Sequence, residues 1–202
     1  MLYTTIASQI YAKICFDATN SQKKIVENIS EYLCCDDYSR IFVLNGYAGT
    51  GKTTLIAATV EALDSLGIKT ILLAPTGRAA KVLARYCGKP AFTIHKQIYR
   101  QQTNAEYESR FSLGLNREKD AVFIVDEVSM LADTGSEGQT FGSGSLLDDL
   151  IRYVRSGQRC RLMLVGDSAQ LPPVGCDYSP ALNPDVMAQY GDIHYCQMDE
   201  VV

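Results

Sequence analysis

The sequence has no tryptophan, only two histidines, and no stretch of apolar residues approaching the roughly 20 needed to cross a bilayer. Its first sixteen residues lack the charged-then-apolar order of a secretory signal, so the chain reads as cytoplasmic with no membrane role. Seven cysteines are present without a single C-x-x-C pair, and only His95 and His194 could join them. That excludes a zinc module or a disulfide framework and leaves reduced, mostly buried thiols. On the same ground the sequon Asn28-Ile29-Ser30 carries no sugar. Internal repeats are absent. Acid is also missing locally: from Lys69 to Arg100 there are seven basic residues and no Asp or Glu. This segment carries +7 and leaves −11 for the remainder of a chain whose net charge is −4. The total argues against a generally basic nucleic-acid binder, whereas the distribution allows one basic face.

What is present suits an ordinary core. At 202 residues and 47% hydrophobic content the chain is expected to form one domain. Short runs rich in Val, Ile and Leu predict strands at 41–45, 70–74, 121–125, 162–165 and 193–197. Helical periods predict helices at 22–33, 52–66, 78–86, 94–101 and 146–155. Such alternation implies an α/β three-layer domain with a mostly parallel central sheet. Thr19-x-x-Gln22 and Ser145-x-x-Asp148 resemble capping boxes, and Gly67, Gly88 and Gly157 sit where helices would end. Leu146, Leu147, Leu150, Ile151 and Val154 form one apolar stripe. Residues 102–118 are polar around a possible hairpin, and the Gly/Ser-rich 133–145 reads as a flexible loop.

Residues 46–54, "GYAGTGKTT", follow a predicted strand and open a helix, the context that gives G-x-x-x-x-G-K-T its meaning. Gly46, Gly49 and Gly51 let the backbone wrap a phosphate, with Tyr47, Ala48, Thr50 and Thr54 completing the stretch. Lys52 is expected to reach the β and γ phosphates of ATP and Thr53 to offer its hydroxyl to Mg²⁺. A second strand ends in Asp126 and Glu127, adjacent carboxylates that are costly to bury unless a cation or proton is shared. Asp126 suits Mg²⁺ and Glu127 suits activation of an attacking water. A third strand leads into "GDSAQLPPVG", 166–175, whose paired prolines stiffen the loop and aim Gln170 at a γ phosphate or its water.

With these stretches in order, joined by "APTGRAAKVL" and "TIHK", the chain resembles the first RecA-like motor domain of a RecD-like superfamily one DNA helicase. The resemblance implies a RecA-like P-loop NTPase fold and ATP-driven movement along single-stranded DNA, typically 5′ to 3′. By position, Gln22 resembles the family's adenine-reading glutamine, a role that competes with its capping box. Pro75, Thr76 and Arg78 resemble one DNA-contacting motif, and Thr93 and His95 resemble another, although a lone histidine is often only structural. The acid-free segment then becomes the DNA-facing side. The final "MDEVV" resembles the start of a further motif without its Arg and Gln. The chain is therefore expected to be a piece of a longer protein, whose second RecA-like domain supplies an arginine finger. It is expected to act as a monomer and, alone, to bind Mg-ATP but hydrolyse it poorly. Coupling to RNA or protein remodelling, or action as a nucleotide-dependent switch, are the rival readings, since phosphate-loop chemistry names no substrate.

Overall fold

Side chains that alternate along five apolar strands have to be covered on both faces, and the chain supplies helices for each. The computed structural model describes residues 2–14, 17–103, 109–131, 142–173 and 175–201. In chain order these form α1 (Leu2–Lys13), α2 (Asn20–Cys34), β1 (Ile41–Gly46), α3 (Lys52–Ser65), β2 (Lys69–Ala74), α4 (Gly77–Cys87) and β3 (Ala91–Thr93). There follow α5 (Ile94–Ile98), β4 (Tyr99–Thr103), β5 (Ser109–Leu113), β6 (Ala121–Val125), α6 (Leu146–Ser156), β7 (Arg161–Gly166) and β8 (Ile193–Met198). Six strands make one sheet in the order β3-β2-β6-β7-β1-β8, and every pairing in it is parallel. All carboxyl ends therefore emerge along one edge.

Two clusters fill the space on either side. Phe42 and Leu44 of β1, Ile124 of β6 and Val165 of β7 pack with α1, α2 and α3. Ile41, Val43, Phe123 and Leu164, their neighbours by one residue, pack with α5 and α6. The period of two thus feeds both layers, and the predicted α6 stripe delivers Leu147, Leu150, Ile151 and Val154 to the second. Tyr32 of α2 locks helix to sheet: its buried hydroxyl donates to the Leu162 carbonyl at 2.9 Å and accepts from the Leu162 amide at 3.0 Å.

Local signals act where expected. Thr19 and Gln22 form a full capping box on α2, and Ser145 accepts from the Asp148 amide at 3.2 Å. Asp148 itself turns to Arg152, one turn on, at 2.9 Å. Gly88 ends α4 with φ 63°, a left-handed backbone that glycine adopts without penalty.

Two expectations need correction. The helix predicted over 94–101 ends at Ile98, because Tyr99 turns out of it to donate to the buried Asp149 carboxylate at 2.7 Å. The Arg100 guanidinium then caps the short helix through the carbonyls of Lys96, Gln97 and Tyr99 at 3.2, 3.0 and 2.8 Å. Consequently the hairpin placed within 102–118 begins at Tyr99, and β4 pairs antiparallel with β5. The loop expected over 133–145 lies outside the described residues as far as 141. Its end is tied down, with the Ser143 amide donating to Asp149 at 2.9 Å. Unpredicted elements are α1, the three-residue strand β3, and short helical turns within 180–190.

Candidate functional site

The loop between β1 and α3 is built to present amides. Gly49 and Gly51 take φ of 80° and 84°, and α3 starts from Gly51 with no side chain capping its first amides. A helix of this length with free amides at its positive end favours an anion there. Tyr47, Ala48 and Gly49 are exposed, Thr50 is buried, Gly51, Lys52 and Thr53 are half-buried, and Thr54 is exposed. Thr50 braces the loop from within, donating its hydroxyl to the Tyr47 carbonyl at 2.8 Å. Lys52 reaches back across the loop to the carbonyls of Gly46 and Tyr47 at 2.5 and 2.8 Å. On its other side the Lys52 ammonium lies 3.8 Å from the Asp167 carboxylate, which is only 1% exposed.

Gln22 touches this loop. Fully buried, it accepts from the Thr19 amide at 3.0 Å and donates to the Thr50 carbonyl at 3.2 Å. The capping box is formed, and the same amide group links α2 to the phosphate loop.

Next along the sheet edge, β7 gives way to Asp167, Ser168 and Gln170. Asn45 of β1 grips Ser168 twice, from its side-chain amide to the hydroxyl and from the Ser168 amide to its oxygen, both at 2.9 Å. Asp167 accepts from the Ala169 amide at 2.9 Å, which folds the loop tightly and brings Gln170 round to Ser129. The Ser129 hydroxyl donates to the Gln170 side-chain oxygen at 3.2 Å. Close passage of the two loops requires Gly166, where an added Cβ would stand 2.9 Å from Val128 Cγ2.

Asp126 and Glu127 follow β6, the strand beside β7. Asp126 is 9% exposed, and its carboxylate accepts from the Glu127 amide at 2.9 Å. Burial, followed by the nearby Glu127 charge, pushes its pKa up to about 6, against the opposing pull of that amide and of Lys52. A carboxyl so far above its ordinary value suits a cation that would restore its charge. Glu127 adopts φ 59°, a conformation costly for a residue with a side chain and concentrated at functional sites. Among the described residues no group of three His, Cys, Asp or Glu side chains gathers. An Mg²⁺ ion here would therefore rest on Thr53, Asp126 and phosphate oxygens rather than on an all-protein cage.

At the far side of the edge, Pro75 and Thr76 follow β2 and Thr93 ends β3. Thr76 caps α4 through the Ala79 amide at 3.2 Å, and Thr93 caps α5 through the Lys96 amide at 3.3 Å. Arg78 is exposed, while His95 is half-buried with its ring 5.6 Å from that of Tyr99. All five residues share the sheet edge that bears the phosphate loop. Asp126 stands between the two groups.

Sequence reasoning missed the contacts of Ser129, Asn45 and the segment after β8. Met198 packs on Gly46, and Val201 would meet a Cβ at Gly49 at 3.3 Å. The order β6-β7-β1 is what brings these parts together, and no local signal encodes it.

A glycine-rich loop opening a helix, an acidic strand end and a parallel sheet edge between them define a P-loop nucleotide-binding α/β domain. A family model described as an AAA domain matches residues 18–179. The chain belongs to this family, on the superfamily one helicase branch that RecD-like and Pif1-like proteins share. It is 36% identical over 135 residues to the ATP-dependent RecD2 DNA helicase of Deinococcus radiodurans, covering 67% of this chain and 16% of that protein. It is 32% identical over 166 residues to the ATP-dependent DNA helicase dda of Enterobacteria phage T4, covering 78% of this chain and 34% of that protein. The crystal structure of Pif1 helicase from Candida albicans shares the fold, with TM-score 0.56 and 19% identity over 93% of this chain and 41% of that one. The chain thus spans well under half the length of these relatives. Among the described residues no helix is long and apolar enough to cross a membrane.

Proposed function

We propose that the chain is the Mg-ATP-binding motor domain of an ATP-dependent helicase that moves along single-stranded DNA, 5′ to 3′, in the cytoplasm. The observation that carries this reading is the continuity of one sheet edge. The phosphate loop, Asp167, Gln170, Ser129 and Asp126 are linked by the Lys52–Asp167 and Ser129–Gln170 contacts, and the basic, acid-free segment begins on β2, the strand beside β6.

Bound magnesium would draw charge from the β and γ phosphates as the terminal bond breaks. The chain's own groups divide the remaining work. Loop amides from Gly46 to Thr54 hold phosphate oxygens, and Lys52 leaves the Gly46 and Tyr47 carbonyls to meet them. Asp167, 3.8 Å from that ammonium, confines it to the pocket. Thr53 and Asp126 hold the ion, Glu127 takes the proton of the attacking water, and Gln170 orients that water. Gln22, already braced on Thr50, turns its amide edge to adenine. On the DNA side, Pro75, Thr76, Arg78, Thr93 and His95 meet the strand through backbone amides, hydroxyls and one guanidinium. A second RecA-like domain of the parent protein closes the ATP cleft, and the parent acts as a monomer.

ATP hydrolysis by the parent protein, measured at low salt with and without single-stranded DNA, tests this. Stimulation by DNA that Arg78→Ala weakens and Lys52→Ala abolishes is expected. Hydrolysis indifferent to DNA would remove the translocase.

A further inference from the structure

We infer that the outer face of α4 is an additional contact for a single-stranded nucleic acid, with Tyr86 as the platform for one base and Lys81 and Arg85 holding the phosphates beside it. The inference rests on the DNA reading above but concerns residues outside the motifs that suggested it.

The argument begins with which cations of the acid-free segment are already engaged. Lys69 is paired with Glu118 at 2.5 Å and Lys89 with Asp64 at 2.7 Å. Lys96 lies over the Phe92 ring at 5.0 Å, and Arg100 is spent on backbone carbonyls. Arg78, Lys81 and Arg85 remain. All three are exposed on α4, a helix without an acidic residue, and none forms an ion pair among the described residues.

Their spacing places them on one side of the helix, because positions three, four and seven apart share a face. Ala80 and Leu83 face the core from the opposite side. Val82 and Tyr86, 47% and 59% exposed, lie beside this face, each one residue on from Lys81 and Arg85. A helix facing only water has no use for an apolar pair there, yet Val82, Arg85 and Tyr86 line a cavity of about 570 Å³. An aromatic wall, an apolar floor and unpaired cations together suit an anionic polymer with flat bases. Every base has a π face, whereas bases in a duplex keep theirs stacked on one another, so the single strand is the occupant. The track is also continuous. Arg78 to Arg85 spans about 10 Å along the helix axis, so a strand passing Thr76 and Arg78 at the sheet edge reaches Tyr86 without a gap.

Binding of fluorescent oligothymidylate to the full chain, across a salt series and with a non-hydrolysable ATP analogue titrated separately, tests the site. Tyr86→Ala should weaken binding about 5- to 100-fold, while Tyr86→Phe, which keeps the ring, should stay within about twofold of the original. Arg85→Glu should lower the salt slope by about 1 to 2. Analogue affinity and thermal midpoint should be unchanged in all three. If Arg78→Ala weakens binding but Tyr86→Ala and Arg85→Glu do not, the α4 site is refuted and the sheet-edge reading survives. Equal loss on blunt duplex and on single strand would refute base stacking. No binding by the original chain at low salt would overturn both readings.

Discussion

The Ser129 hydroxyl donates to the side-chain oxygen of Gln170 at 3.2 Å, tying the loop after β6 to the loop after β7. One loop carries the two carboxylates and the other the amide, so their relative position is held by this bond. Gln170→Ala in the parent protein should lower kcat by about 10²-fold with little change in KM. Ser129→Ala should produce a smaller fall of the same kind. The double variant should be no worse than Gln170→Ala alone, because both act through one group. Steady-state ATPase rates of the three variants decide; additive losses would show that Ser129 acts elsewhere.

Asp126 makes stability depend on pH in a direction opposite to most carboxylates. With its pKa raised to about 6 in the fold, the folded chain binds this proton more tightly than the unfolded one. Stability from this group is full below the ordinary carboxyl range, falls as pH rises towards about 6, and is lost above it. Asp126→Asn should therefore stabilise the magnesium-free protein near pH 8 by up to about 3 kcal/mol and do nothing near pH 4. Urea unfolding with a chelator present, at both pH values, checks this; equal effects at the two would contradict it.

Gln22 serves two structures, and its roles can be separated. Thr19→Ala removes one half of the capping box and should cost about 1 kcal/mol, leaving ATP affinity intact. Gln22→Ala also strands the half-buried Thr19 amide and the buried Thr50 carbonyl, so about 1 to 3 kcal/mol is expected. It should weaken ATP but not inorganic tripolyphosphate. Calorimetric titration of both ligands checks the second claim, and parallel losses would assign Gln22 to loop bracing alone.

Tyr32→Phe tests how the sheet is held to α2. The Leu162 amide and carbonyl both lose their buried partner, for an expected cost of about 1 to 3 kcal/mol with no effect on nucleotide affinity. Denaturant unfolding measures it.

The nucleotide side of this site is legible in the sequence because its parts are contiguous. Gly46 to Thr54 is one unbroken stretch from the end of β1 to the first turn of α3, Asp126 and Glu127 are neighbours, and Gln170 lies four residues past its strand. Each follows an apolar run that can hardly be anything but a buried strand. What escapes is made by long-range contact. Nothing near Tyr99 announces the buried Asp149 that ends α5 early, since the partners are 50 residues apart. Nor can Ser129 be matched to Gln170, or Lys52 to Asp167, before the strand order is known. The α1 helix has a weakly amphipathic sequence and gains its place by packing on α2 and α3. Gln22 shows the opposite case: its spacing from Thr19 indicates the cap, but only the fold shows the reach to Thr50.

Titration of the chain with a non-hydrolysable ATP analogue, with and without magnesium, tests the central claim most directly. Magnesium-dependent binding is predicted, weakened about 10- to 100-fold by Lys52→Ala and made magnesium-independent by Asp126→Asn. Binding that ignores both substitutions and the metal would place the nucleotide elsewhere and contradict the account.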